Sequence, residues 1–166
     1  MPACRAVRKN SFDRLMGSLD HPIAIVTAAT RRETNGCLAG FFTRSGIEPP
    51  RLTVYLAKRE PTCAVARKAP HLMVHVLNRR QHDLAACFAS REDAEVDPLE
   101  QVRWRPGPDG RTPRLVDVDA WIFGKVVSRH DTGDHLGFVL DPLRVREPRR
   151  LRQLGSRDVH DLVTAP

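Results

Sequence analysis

The sequence has no run near the roughly 18–20 consecutive apolar residues that a membrane-crossing helix needs, so no membrane span is expected. Its opening, MPACRAVRKN, carries charge without an apolar core. It does not read as a secretory signal, and a cytoplasmic location is the expectation. Cysteine is sparse and dispersed: Cys4, Cys37, Cys63 and Cys87 form no C-x-x-C pair. That spacing argues against a zinc knuckle and for free thiols in a reducing compartment. Lysine is scarcer than arginine, at four against 23, and the formal charge is +7 from 27 basic and 20 acidic residues. No GxGxxG fingerprint, Walker-type loop or internal repeat occurs.

The basic excess does not form a nucleic-acid footprint. Arginines stand beside acids, as in Arg91-Glu92-Asp93 and Arg129-His130-Asp131. The locally dense stretch, Arg144 to Arg152, has no interleaved aromatics for base stacking. No nucleic-acid partner is expected. His130, Asp131, Asp134 and His135 lie close in sequence but lack a supporting ligand elsewhere, so no metal site is expected.

Periodicity supplies the elements. Residues 1–10 read as a basic arm, residues 11–150 as one domain and residues 151–166 as a tail with at most one closing element. Ser11 is a candidate cap for a helix with Phe12, Leu15, Met16 and Leu19 on one apolar face. IAIVTAAT (23–30) reads as a buried strand. Asn35-Gly36 is a hairpin signal, which makes the following stretch the partner strand. RLTVYLA (51–57) alternates, with Leu52, Val54 and Leu56 on one face. Pro61 suits the first turn of a short helix over 62–69. HLMVHVL (71–77) is a strand, and Asn78 caps a helix reaching about Ser90 with Leu84, Ala85 and Phe88 on one side. From Arg91 to Arg111 periodicity is lost, with Trp104 isolated in what reads as a lid or a partner-contacting loop. Strands return over about 115–128 and 136–145, joined by RHDTGDH. Six or so strands, mostly linked as hairpins, favour a mainly β antiparallel barrel over a parallel α/β sheet.

The most unusual stretch is NGCLAGFFTRSGIEPPR, residues 35–51. Cys37, Ala39 and Gly40 are small, so a flat ligand could approach the backbone and use its N–H groups as donors. Pro49-Pro50 suggests an extended exit.

These motifs, taken together and in order, resemble the flavin reductase-like FMN-binding split barrels. The resemblance runs from the IAIVTA strand through Gly36, Phe42, Thr43, Glu48, Pro49 and Pro50 to Thr62. It resumes at HLMVHVLNRRQHDLAACFAS and ends at Gly133-Asp134-His135. It implies an antiparallel Greek-key split β-barrel with short helices, a homodimer, and FMN (with FAD as the alternative) bound in a groove at the dimer interface. It also implies NADH or NADPH as hydride donor and, often, a monooxygenase component that consumes reduced flavin. A split barrel that binds flavin without turnover is the alternative.

By this resemblance the flavin ring lies against Cys37, Leu38, Ala39, Gly40, Phe41 and Thr43. Its phosphate lies near Lys58, Arg59 and Thr62, and His135 with Asp134 stands where nicotinamide stacks. The chain departs from the usual Ser/Thr-rich version by carrying Leu38, Gly40, Phe41 and Arg44, which leaves backbone N–H groups and Arg44 for the flavin's polar edge. Glu60-Pro61 replaces a serine in the phosphate turn, so either Glu60 points away from the phosphate or the phosphate lies elsewhere. Thr62 stands near a helix start suited to an anion, and Arg44 or Lys58 could supply a fixed cation. A histidine with an ordinary pKa of about 6.5 can position nicotinamide or exchange a proton near neutrality, and Asp134 would orient it.

Overall fold

A computed structural model describes residues 9–89 and 96–163. Most of the basic arm (1–8), Cys4, Arg91-Glu92-Asp93 and the last three residues lie outside them. The strands are β1 (Ala24–Ala29), β2 (Thr34–Ala39), β3 (Phe41–Gly46), β4 (Arg51–Ala57), β5 (His71–Val76), β6 (Trp104–Pro106), β7 (Pro113–Leu115), β8 (Ala120–Asp131) and β9 (His135–Arg146). The helices are α1 (Lys9–Ser18), α2 (Pro61–Ala66), α3 (His82–Phe88) and α4 (His160–Val163). Seven strands form one antiparallel sheet in the order β2-β1-β5-β8-β9-β4-β3, and β6 with β7 forms a separate hairpin.

The sheet closes on itself because its two edge strands are neighbours in the chain. β2 pairs with β1 and β3 pairs with β4, yet only Gly40 separates them. A sheet whose edges are joined by one residue must curl into a barrel, split where one edge gives way to the other. The mainly β, split-barrel architecture expected from the sequence is therefore the observed one.

Alternation along the strands fills the interior. Val26, Ala28, Cys37, Ala39, Leu52, Val54, Leu56, Leu72, Val74, Phe138 and Leu140 are all buried in one cluster. α2 stoppers one end of the barrel, adding Cys63, Val65 and Ala66 to that cluster. A second core lies outside the barrel, where Ile23, Ile25 and Leu77 meet Ala85 and Phe88 of α3 together with Leu99, Leu115, Leu154 and Val159. Part of residues 151–163 thus joins this core. Leu154 is 1% exposed, and isolated bridges tie Pro22 to Gly155 and Asn78 to Gln153.

Local signals held where the chain itself satisfies them. Asn78 caps a 3-10 turn (Arg79–Gln81) that leads into α3, and its reciprocal partner Gln81 completes a capping box. Pro61 opens α2. Asn35-Gly36 does not turn the chain, which reverses instead at Thr30–Glu33. There the Thr30 hydroxyl accepts from the N–H groups of Arg32 and Glu33. Gly36 lies within β2 because the Phe88 ring and the Thr27 methyl press against it; an added Cβ would sit 2.9 and 3.1 Å from them. The two prolines lie in the turn joining β3 to β4, after a cis Glu48–Pro49 bond, rather than in an extended exit.

Other boundaries shift. Ser11 lies inside α1 and does not cap it, and Phe12 and Leu15 of α1, with Leu19 just past its end, are 54%, 62% and 45% exposed. β8 and β9 run further than expected, to a tight turn at Thr132–Asp134. The stretch read as aperiodic holds a short 3-10 segment (Pro98–Gln101) and β6, followed by β7.

That hairpin is fastened by the buried His75. Its Nδ1 donates to the Ile25 carbonyl at 3.1 Å, and its Nε2 accepts from the Leu115 N–H at 3.0 Å. Accepting at Nε2 requires a neutral ring, and burial lowers the pKa from 6.5 to about 4. The stability linked to His75 is therefore intact above pH 6.5 and is lost as pH falls towards 4, by up to about 1.4 kcal/mol per pH unit. His75→Gln should be less stable than wild type at pH 7 and show a shallower loss between pH 6.5 and 4.5. Urea melts at the two pH values measure this; parallel declines in both proteins would remove His75 from the acid sensitivity.

Candidate active site

The site grows from one rank of residues across four strands. Alternation on β4 points Leu52, Val54 and Leu56 inward, which turns Tyr55 and Ala57 outward. The register then sets Phe41 opposite Tyr55, Tyr55 opposite Gly137, and Gly137 opposite His130. Gly137 is required here, because a Cβ would lie 2.4–2.9 Å from His130 and Tyr55 ring atoms. With no side chain between them, those rings meet edge to face at 5.5 Å.

One step along the same face, Ala57 pairs with His135. The His135 ring lies 5.3 Å from that of Phe41, tilted at 58°. Phe41, Tyr55, Thr132, Asp134 and His135 line a shallow cleft of about 300 Å³. Phe41 is 54% exposed, an unusual state for a phenylalanine that borders a cleft.

The turn holding His135 is heavily braced. Gly133 adopts φ 107°, a left-handed value that suits glycine. Asp131 accepts from the Gly133 N–H, and Thr132 donates through both its N–H and its hydroxyl to the His135 carbonyl. The Lys58 N–H donates to the Asp134 carbonyl at 2.9 Å, tying the turn to the end of β4. His135 Nδ1 lies 2.8 Å from Asp134 Oδ1. This hydrogen bond, followed by the imidazole's charge, holds the Asp134 carboxyl below its ordinary range. Lys58 Nζ lies 2.6 Å from Asp131 Oδ2, and that hydrogen bond is the main cause of the lowered Asp131 pKa.

The structure thus gathers Phe41, Asp134 and His135, with Lys58 behind the turn, and it separates other expected site residues from them. Cys37 and Ala39 face the barrel interior at 3% exposure, so neither side chain meets a ligand outside. Leu38 packs against the second core. Thr62 is fully buried, its hydroxyl donating to Asn35 Oδ1 at 2.7 Å, so it is spent inside the barrel and not free for a phosphate. The reason is α2, whose first turn enters the barrel end where the sequence suggested an open anion site. Thr43 and Arg44 are exposed further along β3, Arg44 donating to the Gly46 carbonyl, while Arg59 is exposed beside α2. At Gly40 an added Cβ would meet only Ile23 Cδ1, at 3.9 Å, so the bend between β2 and β3 has open space beside it. Among the described residues no group of three or more His, Cys, Asp or Glu side chains could hold a metal ion.

Tyr55, Thr132 and His130 were not among the expected site residues. Tyr55 could have been found, since it is the chain's single tyrosine and stands on the outward face of a strand whose inward face is wholly aliphatic.

Comparison with known proteins identifies the family. Residues 16–156 match the model of the flavin reductase like domain, and the chain belongs to that family. It is 30% identical over 153 residues to the NADH-dependent FMN reductase AsuE2 of Streptomyces nodosus subsp. asukaensis, covering 92% of this chain and 80% of that protein. It is 32% identical over 115 residues to a probable flavin reductase of Rhizobium meliloti, covering 67% of this chain; the match spans only 36% of that relative's length. A crystal structure of a Haemophilus somnus protein superposes with a TM-score of 0.80 at 22% identity, covering 92% of this chain and 97% of the other, and so shares the fold.

Burial pushes the Cys37 thiol up to about 12, an effect only partly offset by its hydrogen bond with Thr62. Thiolate is the reactive form, so Cys37 should resist alkylation in the folded protein, whereas half-buried Cys87 should react. Iodoacetamide labelling near pH 8 followed by peptide mass mapping tests this. Modification of Cys37 at the rate of Cys87 without denaturant would contradict its placement inside the barrel.

Proposed function

We propose that this member of the flavin reductase like domain family is an NAD(P)H-dependent flavin reductase, with FMN as the flavin and FAD as the alternative. The observation that carries the reading is the exposed Phe41 ring set against His135 at 5.3 Å in an open cleft. An aromatic side chain that the core does not use offers a face for a planar ring, and the space beside Gly40 lets such a ring approach the β2–β3 bend. These residues fit a flavin. When bound, flavin supplies the two-electron hydride chemistry of the reaction.

The chain's own residues have four tasks in this reading. Phe41 and Tyr55 form an apolar floor that orients flat rings and excludes water from one side. His135 projects over that floor and positions the nicotinamide. Asp134 holds the imidazole through Nδ1 and leaves Nε2 towards the cleft. The braced turn at 131–135 keeps both in place, and Lys58 contributes positive charge that Asp131 partly offsets. Arg59 and Arg44, both exposed, are free to meet a phosphate or the flavin's polar edge, a role Thr62 cannot take from inside the barrel.

A homodimer belongs to the same reading. A cleft of about 300 Å³ is at the small end for a cofactor-sized ligand and covers only one face of a ring. Exposed apolar side chains on the strands (Phe41, Val127, Leu143, Val145), on the β3–β4 turn (Ile47) and on α1 (Phe12, Leu15) give a second copy surface to cover. An open cleft also lets reduced flavin leave, which suits supply to a separate monooxygenase component. Among the described residues no helix is long and apolar enough to cross a membrane; a cytoplasmic site of action is part of the proposal.

Oxidation of NADH and NADPH, followed by absorbance with and without FMN or FAD, tests the reading. Turnover that requires added flavin is expected, and its absence despite flavin binding would leave a flavin-holding module. His135→Ala should lower kcat by about tenfold or more while changing flavin Kd less than about threefold. Phe41→Ala should do the reverse and weaken flavin by about tenfold. Equal losses of turnover and affinity in both variants would contradict this division of roles.

A further inference from the structure

A second cleft, of about 650 Å³, opens beside the β1–β2 turn and is bordered by Arg31, Arg32, Lys68 and Arg111. Three separate parts of the chain supply these cations: the turn itself, the link from α2 to β5, and the loop between β6 and β7. Among the described residues none of the four has a carboxylate within ion-pair distance. Four arginines elsewhere do: Arg51 pairs with Asp141, Arg79 with Asp158, Arg103 with Asp117 and Arg146 with Asp119.

The carboxylates close to the cleft do not neutralise it. Among the described residues Glu33 is the single acid in the lining and leaves a local excess of three positive charges. Asp109, in the same loop as Arg111, accepts instead from the N–H groups of Arg111 and Thr112 and from the Thr112 hydroxyl, and it faces His71 at 3.6 Å. Concentrating like charges around a concavity raises the local potential and draws in anions.

We propose that this cleft binds the phosphate chain of a di- or polyphosphate ligand. Guanidinium groups from two segments, with the Lys68 ammonium from a third, suit oxygens distributed over more than one phosphorus atom. The volume accommodates a diphosphate with its attached group. No aromatic side chain borders the cleft, whose remaining lining is Thr30 and Pro70, so nothing there stacks on a base. Recognition is of the phosphates, and inorganic pyrophosphate and a nucleoside diphosphate bind alike. The Thr30 hydroxyl, by fixing the turn through Arg32 and Glu33, presents Arg31 and Arg32 in one arrangement.

The test uses the full chain without flavin or nicotinamide, so it is independent of the reductase reading. Calorimetric titration with sodium pyrophosphate and with ADP, and thermal melts in each against sodium sulfate at matched ionic strength, provide the readouts. Pyrophosphate and ADP are expected to bind within about threefold of one another, with Kd at or below about 1 mM. At ten times Kd each should raise Tm by about 3–6 °C, with no such rise in sulfate. The double variant R32E/R111E changes two exposed residues and should keep its ligand-free Tm and its flavin-dependent turnover while losing at least about tenfold in pyrophosphate affinity. No binding, unchanged affinity in the double variant, equal stabilisation by sulfate, or ADP binding far more tightly than pyrophosphate would each overturn the proposal.

Discussion

The structure depends on closure of a seven-stranded sheet through a single residue. With β2 on one edge, β3 on the other and only Gly40 between them, the sheet cannot lie open. Closure creates an interior, and that interior must be filled at close-packed density. The small side chains at Cys37 and Ala39 belong to that requirement, since Val54, Phe138 and Leu140 already crowd the same space. Their smallness serves packing within the barrel, while the room for a ligand lies outside, at the bend beside Gly40.

Closure also decides which face of each strand is free. With Leu52, Val54 and Leu56 committed inward, Tyr55 and Ala57 face out, and the antiparallel register carries the same parity to Phe41, His135 and Gly137. The cleft is therefore a consequence of register: a one-residue slip between β4 and β9 would send His135 inward and Leu136 out. Glycine at 137 lets rings from β4 and β8 meet across β9, and the bonds around Gly133 hold the imidazole where that register puts it.

The second core performs a different task. His75 reaches from β5 to both the Ile25 carbonyl and the Leu115 N–H, joining the barrel to the β6–β7 hairpin without an unsatisfied ring nitrogen. By fastening that hairpin it also brings Arg111 towards the β1–β2 turn. The two clefts thus sit on one barrel but owe their residues to different packing: register for the first, and docking of a hairpin from outside for the second.

Much of this was legible in the sequence, because it depends on neighbours a few residues apart. The alternation in RLTVYLA, the Asn78 cap with Gln81, Pro61 at a helix start and the Gly-Asp-His turn each act through local geometry. Phe41, Asp134 and His135 could be named for the same reason, as parts of short motifs. What the sequence could not decide was whether a small or polar residue would face a ligand or a core. Thr62 and Cys37 lie inside because α2 enters the barrel end. Gly36 is extended rather than turned because the Phe88 ring lies against it. Tyr55 and His130 meet only through the pairing of β4, β9 and β8, and Arg31, Lys68 and Arg111 only through three distant segments. Periodicity and local hydrogen bonding are written in adjacent residues; side-chain surroundings are set by contacts between residues far apart in the chain, and these exist only once the barrel has closed.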